Sequence, residues 1–326
     1  MSAKASVAIV DSETALLTLL DGLTNLPVKP PSLFIDFIGT KLGRQGTLSI
    51  LTIYVAPTKE THLVDIQRLE QKAFSTTNKM DLSLKSILES PTIPKVVFDV
   101  RNASDALFKH YQISVDGIKE LQLMELAVRN LQPGTIGGSQ KFLFGLAKCV
   151  ANQKTISAET KEEWCLMKGQ SGGLQLQRPL QRETIKYCER HVAIFPRLYK
   201  AYNAKLGQKG MAFWRVEIRC ATKNRVVFSQ SSTYDGNSKD MAIRPWTPSG
   251  IEEERDSWNE EIILEARLGE WELNDDDEWV KTPTYDFDLL DLNDEYDAYE
   301  YEDDYADSAR DCMGWEEDMI KNGEFF

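Results

Sequence analysis

At 326 residues the chain can hold one large domain with an extension, or two domains, and 42% of it is hydrophobic. Its net charge of −13 conceals a division: residues 251–326 hold 29 of the 51 acidic and 5 of the 38 basic residues, a net of −24, while the other 22 acidic and 33 basic residues give 1–250 a net of +11. Five scattered cysteines without a Cys-x-x-Cys pair argue against a disulfide framework or a zinc site. Asp11 and Glu13 interrupt the first apolar stretch, which argues against a secretory leader. No apolar run approaches the ~20 residues of a membrane helix. An intracellular protein, cytoplasmic or nuclear and without membrane association, is expected. A basic body suits polyanions, because neutralised phosphates supply most non-specific nucleic-acid affinity.

Along the chain, Val7–Val10 reads as a strand, followed by a helix capped by Asp11 or Ser12 with Leu16, Leu17, Leu20 and Leu23 on one face. Leu33–Asp36, Thr47–Val55 and His62–Asp65 read as three strands joined by the turns Gly43–Gly46 and Pro57–Glu60, hence as antiparallel neighbours. Leu82–Leu88 is a predicted helix, Lys95–Phe98 a strand, and Ser104–Tyr111, Glu120–Arg129 and Lys141–Val150 helices. Arg182–Ala204 is the longest predicted helix. The stretch 207–250 reads as strand-rich, with VEIRCA and RVVFSQ as a hairpin around Thr222-Lys223-Asn224. Residues 251–326 form an acidic tail: Glu252–Leu268 reads as a helix with acidic faces, and Asn274–Asp307, rich in Asp, Glu and Tyr, is expected to be disordered. The tail is either a solvated appendage or a docking element for a protein partner. Glycine loops at Gly134–Gly138 and Gly169–Gly173 lack the Lys-Ser/Thr of a phosphate-binding loop and read as plain loops.

Three segments carry chemistry. The first ends a hydrophobic strand at Asp36-Phe37-Ile38. The second, KVVFDVRNASDALFKHY, spans Lys95–Tyr111 and is followed by GIKELQLMELAVR at Gly117–Arg129. The third is Tyr187-Cys188-Glu189-Arg190-His191. In order and spacing they resemble the three motifs of the DEDD superfamily of 3'–5' exonucleases, in its ribonuclease D and Egalitarian-like, tyrosine-type branch. The resemblance covers roughly Val7–Leu206. It implies an α/β chain with a ribonuclease H-like mixed sheet and flanking helices. The expected division is a 3'–5' exonuclease-like domain at 1–206, the strand-rich extension at 207–250 and the acidic tail at 251–326.

In that family four carboxylates hold two divalent metals, which activate a water and stabilise the leaving oxygen. Hard ions such as Mg²⁺ demand oxygen ligands. Asp36 matches the first ligand position, and Ile38 replaces a glutamate that would lie on the same strand face. In the family's register the second-motif aspartate falls on Ala103. Tyr187 matches the tyrosine that orients the attacking water, and His191, one helical turn on, replaces an aspartate. Glu120 occupies a position that is structural in the family. Asp99, Asp105 and Glu189 are nearby acids, with Asp99 and Asp105 the weak metal candidates; Asp105 reads equally as a first-turn acid favouring the helix dipole. His62, His110 and His191 are too scattered to form a metal motif of their own.

The leading expectation is a pseudo-nuclease that binds RNA or a single strand as a scaffold or adaptor and needs no cofactor. Two alternatives remain. One is a working exonuclease using Mg²⁺ or Mn²⁺ with Asp36, Tyr187 and substitute acids. The other is a protein-interaction platform that binds no nucleic acid.

Overall fold

The computed structural model describes residues 6–130, 142–169, 176–208, 211–268, 271–273 and 279–281. The glycine loop at 134–138, residues 170–173 of the other, and all of the tail beyond Lys281 lie outside them. The order begins β1 (Ser6–Val10), α1 (Glu13–Leu23), β2 (Leu33–Ile38), β3 (Ile50–Val55) and β4 (Glu60–Asp65). Short helices α2 (Ile66–Leu69), α3 (Lys72–Ser75) and α4 (Leu84–Glu89) lead to β5 (Lys95–Val97), α5 (Arg101–Tyr111), β6 (Ile118–Glu120) and α6 (Leu121–Asn130). There follow α7 (Leu146–Asn152), α8 (Ala158–Gly169), α9 (Arg182–Ala193), α10 (Phe195–Leu206), α11 (Ala212–Gln230) and α12 (Pro248–Leu268), then β7 (Trp271–Leu273) and β8 (Trp279–Lys281).

Six strands form one mixed sheet in the order β1-β4-β3-β2-β5-β6. The meander β2–β3–β4 is antiparallel, whereas β1 runs parallel to β4, and β5 parallel to both β2 and β6. Alternation along β2 divides its side chains between two layers. Leu33, Ile35 and Phe37 enter the large core with α1, whose Leu16, Leu19, Leu20 and Leu23 are buried. Ile38 turns to the other face, where α9 packs and Ile50, Leu63 and Cys188 form a smaller cluster. Of the two candidates Asp11 and Ser12, it is Ser12 that caps α1, its side chain accepting from the Ala15 N–H.

Two buried charged residues fix the frame. Lys95, with 0% exposure, donates from Nζ to the carbonyls of Ile87 (2.9 Å) and Ser90 (2.6 Å), closing the end of α4. Burial, opposed by Asp116, pushes its pKa down to about 7. Glu120, fully buried at the end of β6, accepts from the backbone N–H of Asp99, Val100 and Gln122. It therefore satisfies donors at the start of α5 that the helix itself leaves open. Arg225 of α11 balances its charge at 3.3 Å.

Several predicted elements differ. The strand-rich extension at 207–250 is instead built on one 19-residue helix, α11, that includes both VEIRCA and RVVFSQ. Its buried positions Ile218, Ala221, Thr222, Arg225, Val226 and Ser229 recur every three or four residues, the helical period. Lys223 and Asn224, read as a turn, are simply its exposed side. The single helix over Arg182–Ala204 is two, parted at Ile194 with Pro196 in the first turn of α10, where a missing N–H costs nothing. The helix predicted from Lys141 starts at Leu146, and β6 and α8 add to the predicted order. The predicted acidic helix is present as α12, and β7 pairs antiparallel with β8, while 274–278 and 282–307 of the stretch expected to be disordered lie outside the described residues.

By compactness the chain divides into one unit of residues 1–208 with 217–245, and a second of 209–216 with 246–326. The described core of the second is aromatic: Phe213 meets Trp214 and Trp258 edge-on, and Trp214 meets Trp246 likewise. Among the described residues no helix is long and apolar enough to cross a membrane.

Candidate active site

Asp36 sits on the β2 face that meets α9. Its register partner is Thr52 of β3, itself fully buried. The start of α9 is anchored by Arg178, which bonds the Asp65 carboxylate and the Ser49 carbonyl. That anchor sets α9 across the sheet, with Thr184, Cys188 and Val192 buried beneath it. Tyr187 and His191, one turn apart, share a face.

The imidazole Nδ1 of His191 lies 2.8 Å from Asp36 Oδ2. Two of the positions that resemble metal ligands are thus bonded to each other. Tyr187 stacks on His191 at 5.2 Å between ring centroids with 20° between planes, and Trp164 of α8 stacks on it at 5.9 Å and 25°. Phe195 adds an edge-on contact at 6.0 Å. The Asp36 and His191 side chains keep only 15% and 19% of their exposure. Beside them Ile38 and Tyr187 pack on the cluster that contains Cys188. Burial, then the Asp36 charge, pushes both the Tyr187 phenol and the Cys188 thiol up to about 12, so both are protonated at neutral pH.

The other candidates lie elsewhere. Ala103 is buried in the large core with Val100 and Leu107, in the cluster that holds Phe37 rather than Ile38. Asp99, at φ +55°, is bound two-fold by Arg101, whose Nε and Nη2 donate to its two oxygens at 2.7 Å each. Asp105 is bound by the Arg44 backbone N–H at 2.7 Å and the Arg44 Nε at 2.6 Å. Because α5 begins at Arg101, Asp105 lies past the first turn, and Arg44 rather than the helix dipole balances its charge. Glu189 stands about 200° around the α9 axis from Tyr187, off the face of the site.

A pair of Mg²⁺ or Mn²⁺ ions does not fit this donor set. One carboxylate, already bonded to an imidazole and flanked by isoleucine, thiol and phenol, offers too few oxygens to replace water around hard cations. Among the described residues no group of three or more His, Cys, Asp or Glu side chains could hold a metal ion. Trp164 escaped the sequence reading. Its only signal was a tryptophan closing the polar run Glu159–Glu163.

No family model matches the sequence. The fold is that of the ribonuclease D-type 3'–5' exonuclease domain. Ribonuclease D of Trypanosoma brucei superposes with a TM-score of 0.55 at 17% identity over 78% of this chain and 82% of that one. The same enzyme in complex with RNA U12 gives 0.53 at 17% identity, over 77% and 79%. In sequence the chain is similar to the piRNA biogenesis protein EXD1 of Bombyx mori, at 24% identity over 133 residues. That match spans 39% of each chain, about two fifths of the relative's length.

Proposed function

We propose that this chain binds RNA on a 3'–5' exonuclease fold without cleaving it, and serves as a scaffold or adaptor in a ribonucleoprotein. The observation that carries the reading is the Asp36–His191 bond inside the aromatic stack, with Ile38 alongside. In-line phosphodiester hydrolysis of this type needs metals on both the attacking and the leaving oxygen. The side chains here bond each other and leave one carboxylate for that task.

Binding is supported by the +11 charge of residues 1–250. The likeness to a solved ribonuclease D–RNA complex and to a piRNA biogenesis protein favours RNA over DNA. Substitute acids would have to leave strong partners: Asp99 is bound by Arg101 and Asp105 by Arg44.

The test pairs two measurements on one preparation. Labelled single-stranded RNA incubated in Mg²⁺ or Mn²⁺ is expected to stay full length, while fluorescence anisotropy reports binding that weakens as salt rises. Shortening that EDTA stops and Asp36→Ala abolishes would overturn the pseudo-nuclease reading. Absence of binding at low salt would leave the protein-interaction platform.

A further inference from the structure

We infer that this chain holds a nucleic-acid strand by its interior and does not read its 3' end. The inference rests on the RNA-binding reading above and specifies what kind of RNA feature is recognised.

To be cut from the 3' side, a strand must bring its last phosphodiester to the carboxylate that positions the metals. By the resemblance to the exonuclease motifs that carboxylate would be Asp36. Three features close the place where the terminal nucleotide would sit. The Asp36 oxygen that faces α9 accepts from His191 Nδ1–H at 2.8 Å, so a terminal hydroxyl competes with a bond already formed. The rings nearest that point are stacked on one another, His191 on Tyr187 and on Trp164. A base gains binding energy by stacking on a free aromatic face, and the His191 ring is already stacked on Tyr187 and on Trp164, the latter 4% exposed. Beside them lies Ile38, partly buried, whose aliphatic side chain gives a ribose no hydrogen-bond partner.

A terminal nucleotide at Asp36 therefore meets costs without compensating bonds. Affinity comes from phosphates and bases along the strand, and these are the same in a strand with a free end, a blocked end or no end. The ligand class is single-stranded RNA irrespective of its 3' terminus. A circle qualifies, and so does an internal segment of a long transcript.

The experiment uses the full-length chain and one RNA sequence of about 20 nucleotides, longer than the ~4–16 that a compact single-strand module covers. It is prepared with a 3'-hydroxyl, with a 3'-phosphate and as a covalent circle. The three dissociation constants are expected to agree within about threefold, less than the factor of ten that ~1.4 kcal/mol produces. A larger preference for the 3'-hydroxyl form over the 3'-phosphate form, or for both linear forms over the circle, overturns the inference and leaves RNA binding intact. Failure of all three to bind at low salt overturns the RNA-binding reading itself, and this inference with it.

Discussion

Arg44 and Asp105, 61 residues apart, are joined twice, once through the Arg44 backbone N–H and once through its guanidinium. The same guanidinium donates from Nη2 to the carbonyls of Ser229 (2.9 Å) and Ser231 (2.7 Å). One side chain thereby ties the β2–β3 turn to α5 and supplies donors to the end of α11, where carbonyls lack helical partners. Gly43, at φ +146°, gives the turn a backbone conformation that a side chain would strain.

Asp105→Ala is expected to destabilise the fold by about 2–3 kcal/mol. Asp105 is nearly buried but Arg44 is partly exposed, which places the loss below that of a fully buried pair. Urea unfolding measures it. Amide exchange at Ser229–Ser231 should accelerate more than exchange in β3. A loss below ~0.5 kcal/mol would mean that the pair is a surface contact without structural weight.

Lys95 makes stability depend on pH. Its pKa falls from an unfolded value of 10.5 to about 7, with burial as the main cause. Between those values the unfolded chain binds more protons than the folded one, so stability rises with pH across that window. Below pH 7 the cost of the buried charge is fully present, and above 10.5 it is gone. Denaturant midpoints from pH 6.5 to 9.5 are expected to climb in the wild type and to climb less in Lys95→Met. Parallel curves for the two proteins would assign the pH dependence to other groups.

The acidic tail is expected to lower affinity for RNA. Residues 282–326 lie outside the described structure, but their sequence holds 16 acidic and 2 basic residues with Tyr296, Tyr299, Tyr301 and Tyr305 among them. A tethered polyanion acts at an effective concentration of order mM and competes with phosphates for Lys and Arg. Ending the chain at Lys281 keeps β7 and β8. The shortened chain is expected to bind RNA more tightly at low salt, with the difference closing as the Debye length shrinks below ~8 Å. Equal affinities at low salt would assign the tail to solvation or to a protein partner.

The sheet was legible where local chemistry is decisive. Short turns between β-branched runs foretold β2, β3 and β4 with their antiparallel pairing. Helix α11 was not, because its inner face is built from Thr222, Arg225 and Ser229 as well as Ile218 and Val226. Buried polar residues blur the periodicity, and the Val and Ile runs imitate strands. At the site, Asp36, Tyr187 and His191 were named by the resemblance of their segments to the exonuclease motifs, and the i, i+4 spacing put the last two on one helix face. Their bonding to one another depends on α9 crossing the sheet. Trp164 arrives from a separate helix, and Arg44 meets Asp105 across the fold. Pairings of that kind are fixed by tertiary packing, of which the local pattern keeps no trace.

The Asp36–His191 bond also sets what a single substitution that adds a carboxylate at this site would cost. His191→Asp alone would set two carboxylates side by side with no cation between them, and Ile38→Glu alone would push a carboxylate into the cluster around Cys188. Each step is uphill unless the other is already in place and a metal is present to reward both. The two positions are therefore coupled through the seated imidazole, and a change at one alters the cost of a change at the other.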